Sequence, residues 1–232
     1  MAIFRDDVRA LTGGIDPSLV LLDLDGTLID SVPDLAAATD EMLTALGRSV
    51  AGAERVTHWI GNGADMLIRR ALADGDEAGA LALAESEVAA ARMHFDRAYL
   101  RVLTDATGAF PGVEGFLQRL SVPAILITNK PRLFTLPLIR SLGWGSYFVK
   151  VICGDDLKEK KPSPVPVEHA CAWQRVEPDT VLMIGDSKND ILSAHAAGSR
   201  AIAVSYGYNH GENIYEAGAD LVCDNLSDLL EA

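Results

Sequence analysis

Residues 18–27 read Ser-Leu-Val-Leu-Leu-Asp-Leu-Asp-Gly-Thr, and this stretch decides the fold class. It begins with a continuous apolar run that ends at Asp23, Asp25 and Gly26. A short, uninterrupted apolar run is typical of a strand in a parallel sheet, because helices cover both faces of such a sheet. We therefore predict a buried parallel strand that ends at Asp23.

Further along the chain, similar apolar runs alternate with segments of helical pattern. The predicted strands are 124–128, 148–153, 181–185 and 201–205, and the predicted helices are 132–142, 165–173 and 190–197. Strands that alternate with helices form βαβ units, whose strands are parallel. The chain is thus predicted to be an α/β protein with a Rossmann-like parallel sheet and helices on both faces.

Residues 35–106 differ, because they show helical periodicity and no convincing strand. Apolar residues recur at helical spacing in two places: Ala64, Leu67, Ile68 and Ala71, and Val88, Ala91, Phe95 and Tyr99. We predict an inserted α-helical cap at residues 32–108, which we call the cap. Residues 1–31 and 109–232 would form the core that carries the catalytic site, with Phe110-Pro111-Gly112 as the return linker.

The composition limits the classes of partner. The 232 residues carry a formal net charge of -13, which disfavours non-specific binding to nucleic acid or to an anionic membrane. The three cysteines are widely spaced and suggest reduced thiols. No apolar run reaches the ~20 residues of a membrane span, and the N-terminus lacks a signal-like apolar core. We expect a cytoplasmic protein, with monomer and homodimer both open.

Chemically useful side chains follow the predicted strands. They occur in four separate segments: Asp23-Leu24-Asp25-Gly26-Thr27, Thr128-Asn129-Lys130, Lys160-Lys161-Pro162 and Gly185-Asp186-Ser187-Lys188-Asn189-Asp190. Each segment alone could be an ordinary turn, loop or helix cap. Because ligands bind beyond the carboxyl ends of parallel strands, the four together indicate one site. Clustered carboxylates there require a cation or a shared proton.

These segments resemble the four ordered motifs of haloacid-dehalogenase-like hydrolases, with the helical insertion between the first and second motifs. Within that family, the chain is most similar to the bacterial phosphoglycolate phosphatases. That closer resemblance depends on residues 32–38, 59–65, 128–131, 154–156 and 206–209, and the region 73–106 departs most from the pattern. The resemblance implies a phosphatase that converts 2-phosphoglycolate, a small phosphorylated organic acid, to glycolate and phosphate.

The residues themselves suggest how the reaction would proceed. Asp23 can attack phosphorus as a carboxylate and form an aspartyl-phosphate. Asp25 lies two residues further on, on the same side of an extended chain, and can serve as general acid and base. Thr128, Lys161 and the backbone amides of Leu24, Asp25 and Asn129 would bind the phosphoryl group.

The resemblance also implies a Mg²⁺ site, and Mg²⁺ prefers hard oxygen ligands. The carboxylates of Asp23 and Asp186 and the backbone carbonyl of Asp25 would bind the ion. Asp190 would lie next to these ligands without touching the ion, or would bind the ion through a water molecule. Mg²⁺ and Lys161 would together create a local positive charge inside an acidic protein.

The cap is expected to contact the rest of the substrate. The loop Gly61-Asn62-Gly63 precedes a predicted helix, where backbone amides could bind an anion. The glycines alone favour a tight turn, and the family resemblance favours a substrate-facing loop. The other candidates for the substrate carboxylate are His58, Trp59, Arg69 and Arg70, and both arginines could equally lie on a solvated face. Closure would pivot at residues 31–33 and 108–112.

Several alternatives share parts of this pattern. A haloacid dehalogenase would not need Asp25, because it protonates no alkoxide, and a phosphonatase would typically need a cap lysine, which residues 35–106 lack. A phosphatase or phosphomutase for another small phosphorylated metabolite remains open. A phospho-accepting receiver-like module is the alternative from another class, although receivers lack a large cap.

Overall fold

The predicted first strand, β1, lies inside a six-stranded sheet in the computed structural model, which describes residues 4–231. The strands in chain order are β1 (Leu19–Leu22), β2 (Ile29–Asp30), β3 (Gly108–Ala109), β4 (Ala124–Ile127), β5 (Lys150–Ile152), β6 (Val181–Gly185), β7 (Arg200–Val204) and β8 (Leu221–Cys223). The large sheet has the order β5-β4-β1-β6-β7-β8, and every neighbouring pair in it is parallel. The α/β prediction is confirmed.

Helices cover both faces of this sheet, and further helices form the cap. They are α1 (Asp6–Leu11), α2 (Val32–Ala45), α3 (Ala53–Trp59), α4 (Ala64–Leu72), α5 (Glu77–Ala82), α6 (Glu85–Val102), α7 (Val113–Arg119), α8 (Arg132–Ser141), α9 (Val165–Gln174) and α10 (Lys188–Ala196). The buried apolar side chains of α1, α7 and α8 pack on one face of the sheet, and those of α9 and α10 pack on the other. The predicted helices 132–142, 165–173 and 190–197 therefore exist with small shifts of their ends.

The side chains of β1 explain why the run 19–22 is apolar throughout. Val20 and Leu22 belong to the hydrophobic cluster on one face, whereas Leu19 and Leu21 belong to the cluster on the other. All four are fully buried. A strand buried on both faces has no place for a polar side chain until it ends, and it ends at Asp23.

The order of the strands determines where a ligand can bind. From β1 the chain continues to β4 and β5 on one side, and then to β6, β7 and β8 on the other side. The connections on either side of β1 therefore run in opposite directions, which leaves a crevice at the carboxyl ends of β1, β4 and β6. Segments that follow these three strands must meet there.

The cap contains the helices α2 to α6, which lie between β2 and β3. The two apolar faces predicted from periodicity are buried, on α4 and on α6. The chain enters and leaves this segment through an antiparallel pair, in which Ile29 lies opposite Ala109 and Asp30 opposite Gly108. This β2–β3 ribbon was not predicted, because strands of two residues have no detectable periodicity.

Three further elements were also missed. Helices α1 and α7 are only six and seven residues long, and the edge strand β8 is only half-buried, so none of them has a long apolar pattern. Within residues 4–231, no helix is both long enough and apolar enough to cross a membrane.

Candidate active site

The carboxyl ends of three neighbouring strands bring the predicted site residues together. Asp23 follows β1, Thr128 follows β4 and Asp186 follows β6. All three are buried. Their positions result from the parallel register, since Leu22 pairs with both Leu126 and Ile184.

Three carboxylates form one cluster in this crevice. Asp23, Asp186 and Asp190 each offer a carboxylate oxygen, and these oxygens lie within 4.8 Å of one another. Lys161 is the cation that contacts the cluster: its Nζ lies 2.7 Å from Asp23 Oδ1 and 2.6 Å from Asp190 Oδ1. One ammonium against three carboxylates leaves negative charge in a buried place, which is costly unless a further cation or proton is present.

Lys161 is held rigidly. Its side chain is 2% exposed, and its ammonium also donates a hydrogen bond to the Ile127 carbonyl at 2.7 Å. Burial by itself lowers the pKa of Lys161, but Asp190 and Asp23 raise it, and the net shift is upward. The lysine therefore carries a fixed positive charge beside Asp23.

Asp186 is positioned by a backbone amide from one loop and a side-chain hydroxyl from another. Its Oδ2 accepts a 2.7 Å hydrogen bond from the Tyr208 amide, and its Oδ1 accepts one of 3.3 Å from the Thr27 hydroxyl. Gly26 has φ +85°, and a Cβ there would lie 2.3 Å from Asp186 Oδ2, so only glycine fits both the conformation and the contact. Burial, followed by the charge of Asp190, raises the pKa of Asp186 to about 7.

Asp190 has both oxygens occupied by protein donors. Oδ1 accepts from Lys161, and Oδ2 accepts from the Ser187 amide and hydroxyl in a capping box at the start of α10. These bonds hold Asp190 against Lys161, and its charge adds to that of the cluster.

The carboxylate of Asp23 is the least satisfied of the three. Its Oδ1 is buried and ion-paired with Lys161, but the contact is not a well-directed hydrogen bond, and the atom has no such bond from the described residues. Burial raises the pKa of Asp23 well above its usual range, opposed by Lys161 and reinforced by Asp190 and Asp186. A hard divalent cation would relieve this cluster, and the all-oxygen donor set suits Mg²⁺.

Asp25 lies beside the cluster but has different partners. Its Oδ1 accepts a hydrogen bond of 2.5 Å from the Ser31 hydroxyl and one of 2.9 Å from the Lys130 ammonium. Its side chain is 13% exposed. The second carboxylate oxygen is thus available to a group in the crevice, which is the geometry that a general acid and base requires.

Thr128 and Asn129 occupy the end of β4. The Thr128 hydroxyl accepts a 3.1 Å hydrogen bond from the Lys130 amide, which leaves its own proton free to be donated. The Asn129 side-chain amide donates 2.9 Å hydrogen bonds to the carbonyls of Lys161 and Gly61. Asn129 thereby connects the core to the cap.

A pocket joins these groups to the cap. We call it the Asp23 pocket, and it is lined by Asp23, Asp25, Leu35, Ile60, Gly61, Gly63, Ala64, Leu67, Phe95, Tyr99, Thr128, Asn129, Lys130, Pro131 and Phe134. Its walls are mainly apolar apart from the strand-end residues. The arrangement suits a small ligand whose charged end faces Asp23.

The loop 61–63 closes this pocket, but it turns carbonyl groups towards the core. The Gly61 carbonyl accepts from the amides of Asn129 and Asn189, and the Asn62 carbonyl accepts a 2.7 Å hydrogen bond from Lys160. A Cβ on Gly61, whose φ is +117°, would lie 2.7 Å from the ring of His210. The loop is therefore a contact between the cap and the core.

The remaining cap candidates lie apart from the Asp23 pocket. Arg69 donates to the carbonyls of Ala80 and Leu83 and pairs with Glu85, all within the cap. His58 is exposed, and Trp59 is buried. Arg70 supports the loop 61–63, because it donates to the Trp59 carbonyl and to Asn62 Oδ1 at 2.9 Å each.

A family model for hydrolases, described as haloacid dehalogenase-like hydrolase, matches residues 17–198. The chain belongs to the haloacid dehalogenase-like hydrolases. The resemblance drawn from the four motifs is thereby confirmed.

Relatives within this family are similar over most of their length. Phosphoglycolate phosphatase 1 of Pseudomonas aeruginosa is 47% identical over 217 residues, which cover 92% of this chain and 79% of that protein. Phosphoglycolate phosphatase of Shigella boydii is 43% identical over 229 residues, which cover 92% of this chain and 91% of that protein. A crystal structure from Haemophilus somnus, described as a predicted phosphoglycolate phosphatase, is 33% identical with a TM-score of 0.85 and covers 91% of this chain and 95% of that one.

In this haloacid dehalogenase-like hydrolase, sequence reasoning missed two pocket residues. Lys130 belongs to the segment Thr128-Asn129-Lys130, but the sequence suggested no role for it. Tyr99 was predicted only to belong to an apolar helix face. The Lys130 ammonium donates a 2.6 Å hydrogen bond to the Tyr99 hydroxyl. Only the fold brings together residues that are 31 positions apart, although an ammonium following directly on Thr128 and Asn129 was a usable signal.

Proposed function

We propose that this chain is a Mg²⁺-dependent phosphatase that hydrolyses 2-phosphoglycolate to glycolate and phosphate. The proposal is supported by the relatives named phosphoglycolate phosphatase and by the family match. The structural support for the proposal is the arrangement of three side chains. Asp23 and Asp25 line one pocket, while Lys161 lies 2.7 Å from Asp23 on its buried side.

In the first step, a carboxylate oxygen of Asp23 attacks phosphorus, and the bond from phosphorus to the leaving oxygen breaks. Protonated Asp25 gives its proton to that oxygen, so that glycolate leaves as an alcohol. Ser31 and Lys130 hold Asp25 in place for this transfer.

In the second step, water attacks the aspartyl-phosphate. Asp25, now a carboxylate, accepts a proton from that water, and the bond between phosphorus and Asp23 breaks. Inorganic phosphate leaves, and the proton on Asp25 is ready for the next cycle. One residue thus serves as acid and then as base.

The transferring phosphoryl group is anionic, and catalysis depends on positioning and charge. Lys161 supplies a positive charge held at a fixed place, and the Thr128 hydroxyl and the amides of Leu24, Asp25 and Asn129 would donate hydrogen bonds. Asp23, Asp186 and the Asp25 carbonyl would hold Mg²⁺, with Asp190 behind them. The ion, when bound, supplies further positive charge that stabilises the transferring group.

Residues 1–31 and 109–232 would act as the catalytic core, and the cap would exclude water during transfer. Closure would use the linkers 31–33 and 108–112 as hinges. The contacts of Gly61 and Asn62 with core residues are what a closed state requires. The small, largely apolar pocket favours a compact substrate over a sugar or a nucleotide.

A screen for phosphate release tests the proposal. Small phosphorylated acids, sugars and nucleotides would be supplied with and without EDTA. We expect 2-phosphoglycolate to be preferred, and EDTA to abolish turnover until Mg²⁺ is restored. A preference for another phosphomonoester would assign a different substrate, and product formation without phosphate release would indicate a phosphomutase.

A further inference from the structure

Lys130 is a buried ammonium inside the Asp23 pocket. Its side chain is 4% exposed, and it follows directly on Thr128 and Asn129 at the end of β4. Its Nζ lies 2.9 Å from Asp25 Oδ1, 2.6 Å from the Tyr99 hydroxyl and 4.8 Å from the centre of the Tyr99 ring. A lysine is rarely buried unless its charge is paired.

These contacts use only part of the hydrogen-bonding capacity of the ammonium. A lysine has three N–H donors, and the described residues accept two hydrogen bonds from this one. The proposed phosphoryl site already has a different lysine, Lys161, whose Nζ lies 2.7 Å from Asp23 Oδ1. Lys130 is therefore a second positive charge, separate from the one that faces the phosphoryl group.

No other lysine or arginine is among the residues that line the pocket in the described part of the chain. The walls around Lys130 are apolar and aromatic, and include Leu67, Phe95 and Phe134. A second anionic group of a substrate would lose its hydration there and would need a charged partner. Lys130 is the side chain that can provide it.

The position of Lys130 also sets how far that anionic group lies from the phosphate. If Asp25 protonates the leaving oxygen, then Lys130, which contacts Asp25 directly, lies within a few ångströms of the same oxygen. A carboxylate attached to the carbon that bears this oxygen falls within its reach.

We propose that Lys130 is the specificity-determining residue of this enzyme and that it pairs with the carboxylate of a short phosphorylated hydroxy acid. This inference rests on the proposed phosphatase function. Tyr99 is a positioning residue: its hydroxyl and ring hold the ammonium, and it belongs to α6 of the cap. Carboxylate recognition is thereby completed only when the cap is closed.

The test compares a substrate that has the carboxylate with one that lacks it. Ethyl phosphate has a methyl group where 2-phosphoglycolate has its carboxylate. Lys130→Met keeps the length of the side chain and removes the ammonium. We expect kcat to fall for both substrates, because Lys130 also holds Asp25. Beyond that shared loss, kcat/KM for 2-phosphoglycolate should fall roughly 10- to 100-fold more than kcat/KM for ethyl phosphate, mainly through KM. Lys130→Arg should restore part of the preference.

An equal loss on both substrates would overturn the proposal, because Lys130 would then act only through Asp25. Lys158→Met, at an exposed lysine, is the matched control. Should Lys130→Met fail to fold by circular dichroism, Tyr99→Phe carries the same comparison: a selective rise of KM for 2-phosphoglycolate supports the proposal, and equal changes contradict it. Failure of the wild type to hydrolyse 2-phosphoglycolate would instead reject the proposed function itself.

Discussion

The ammonium of Lys161 lies 2.7 Å from Oδ1 of Asp23. This contact joins the end of β1 to a loop that precedes α9, and it compensates only part of the charge of the three clustered carboxylates. Removing the charge of Lys161 should therefore lower stability, whereas removing the charge of Asp23 should not. Both changes should remove most or all of the same activity.

Asp23→Asn should eliminate turnover and leave the fold intact, because the amide is a poor nucleophile but fits the same space. Lys161→Met should also lose most activity, and in metal-free protein it should lower the free energy of unfolding by about 3–5 kcal/mol, because it leaves buried carboxylates unpaired. Phosphate release and thermal unfolding would be measured on both. Turnover close to wild type in Asp23→Asn would refute the assignment of the nucleophile.

Asp25→Asn should slow both half-reactions, by about 10²- to 10⁴-fold, since the same group acts as acid and as base. With 4-nitrophenyl phosphate the leaving group needs little protonation. The rate of the first step should therefore be closer to the wild-type rate than the rate of the second step. The variant should then accumulate phosphoenzyme, which single-turnover quench experiments would detect. No accumulation with this substrate would argue against a dual role for Asp25.

Metal-free protein should become less stable as the pH rises from 5 to 7. The pKa of Asp186 is about 7 in the folded chain, above its ordinary value of 3.8. The folded state therefore binds a proton that the unfolded state has lost, and stability falls by up to about 1.4 kcal/mol per pH unit until Asp186 ionises.

Chemical denaturation of wild type and Asp186→Asn at several pH values, with EDTA present, measures this slope. The lowered pKa of His210 acts in the opposite direction over part of the same range, so the difference between the two proteins is the relevant quantity. Identical slopes would show that Asp186 is already ionised at pH 5. Added Mg²⁺ should restore stability most strongly above pH 7.

Gly26→Ala should weaken Mg²⁺ binding by about 10- to 100-fold, because the new Cβ would displace Asp186. Gly14→Ala is a matched control: Gly14 has a similar φ of +88°, but nothing lies within 4 Å of a Cβ there. Both variants should lose about 1–2 kcal/mol of stability from backbone strain. Equal Mg²⁺ affinities by calorimetry would contradict the crowding argument.

Lys160→Met should loosen the contact between core and cap, since the Lys160 ammonium donates a 2.7 Å hydrogen bond to the Asn62 carbonyl. We expect KM to rise several-fold with a smaller change in kcat, because a less populated closed state binds substrate more weakly. Hydrogen exchange of residues 61–63 should become faster. Lys158→Met is the control, and unchanged exchange in Lys160→Met would exclude this contact as a latch.

Conversely, restricting the linkers 31–33 or 108–112 should lower turnover more than it lowers fold stability. The comparison of kcat with the melting temperature would measure this. An equal melting temperature with unchanged turnover would count against hinge motion.

The sequence predicted the sheet and its strand-end residues because the signal there is local. An apolar run such as 19–22 must be a buried strand, and the first polar residue after it must lie at the sheet edge. The order and spacing of Asp23, Thr128, Lys161 and Asp186 then indicated a shared site, and the fold does bring these residues to one crevice.

The missed features depend on contacts between distant segments. The partnership of Lys130 with Tyr99 joins the end of β4 to α6, and no periodicity reports it. Similarly, the glycines at 61 and 63 indicated a tight turn or a substrate-facing loop, but not that the loop carbonyls would accept hydrogen bonds from Asn129, Asn189 and Lys160. Such details follow from packing and not from local propensity.

The β2–β3 ribbon places the two ends of the cap side by side, with Asp30 directly opposite Gly108. A module grafted at this junction needs only one matched pair of chain ends to leave Asp23 and the sheet register undisturbed. The same catalytic core can therefore acquire different helical caps by recombination. The range of substrates can then diversify while the chemistry stays constant.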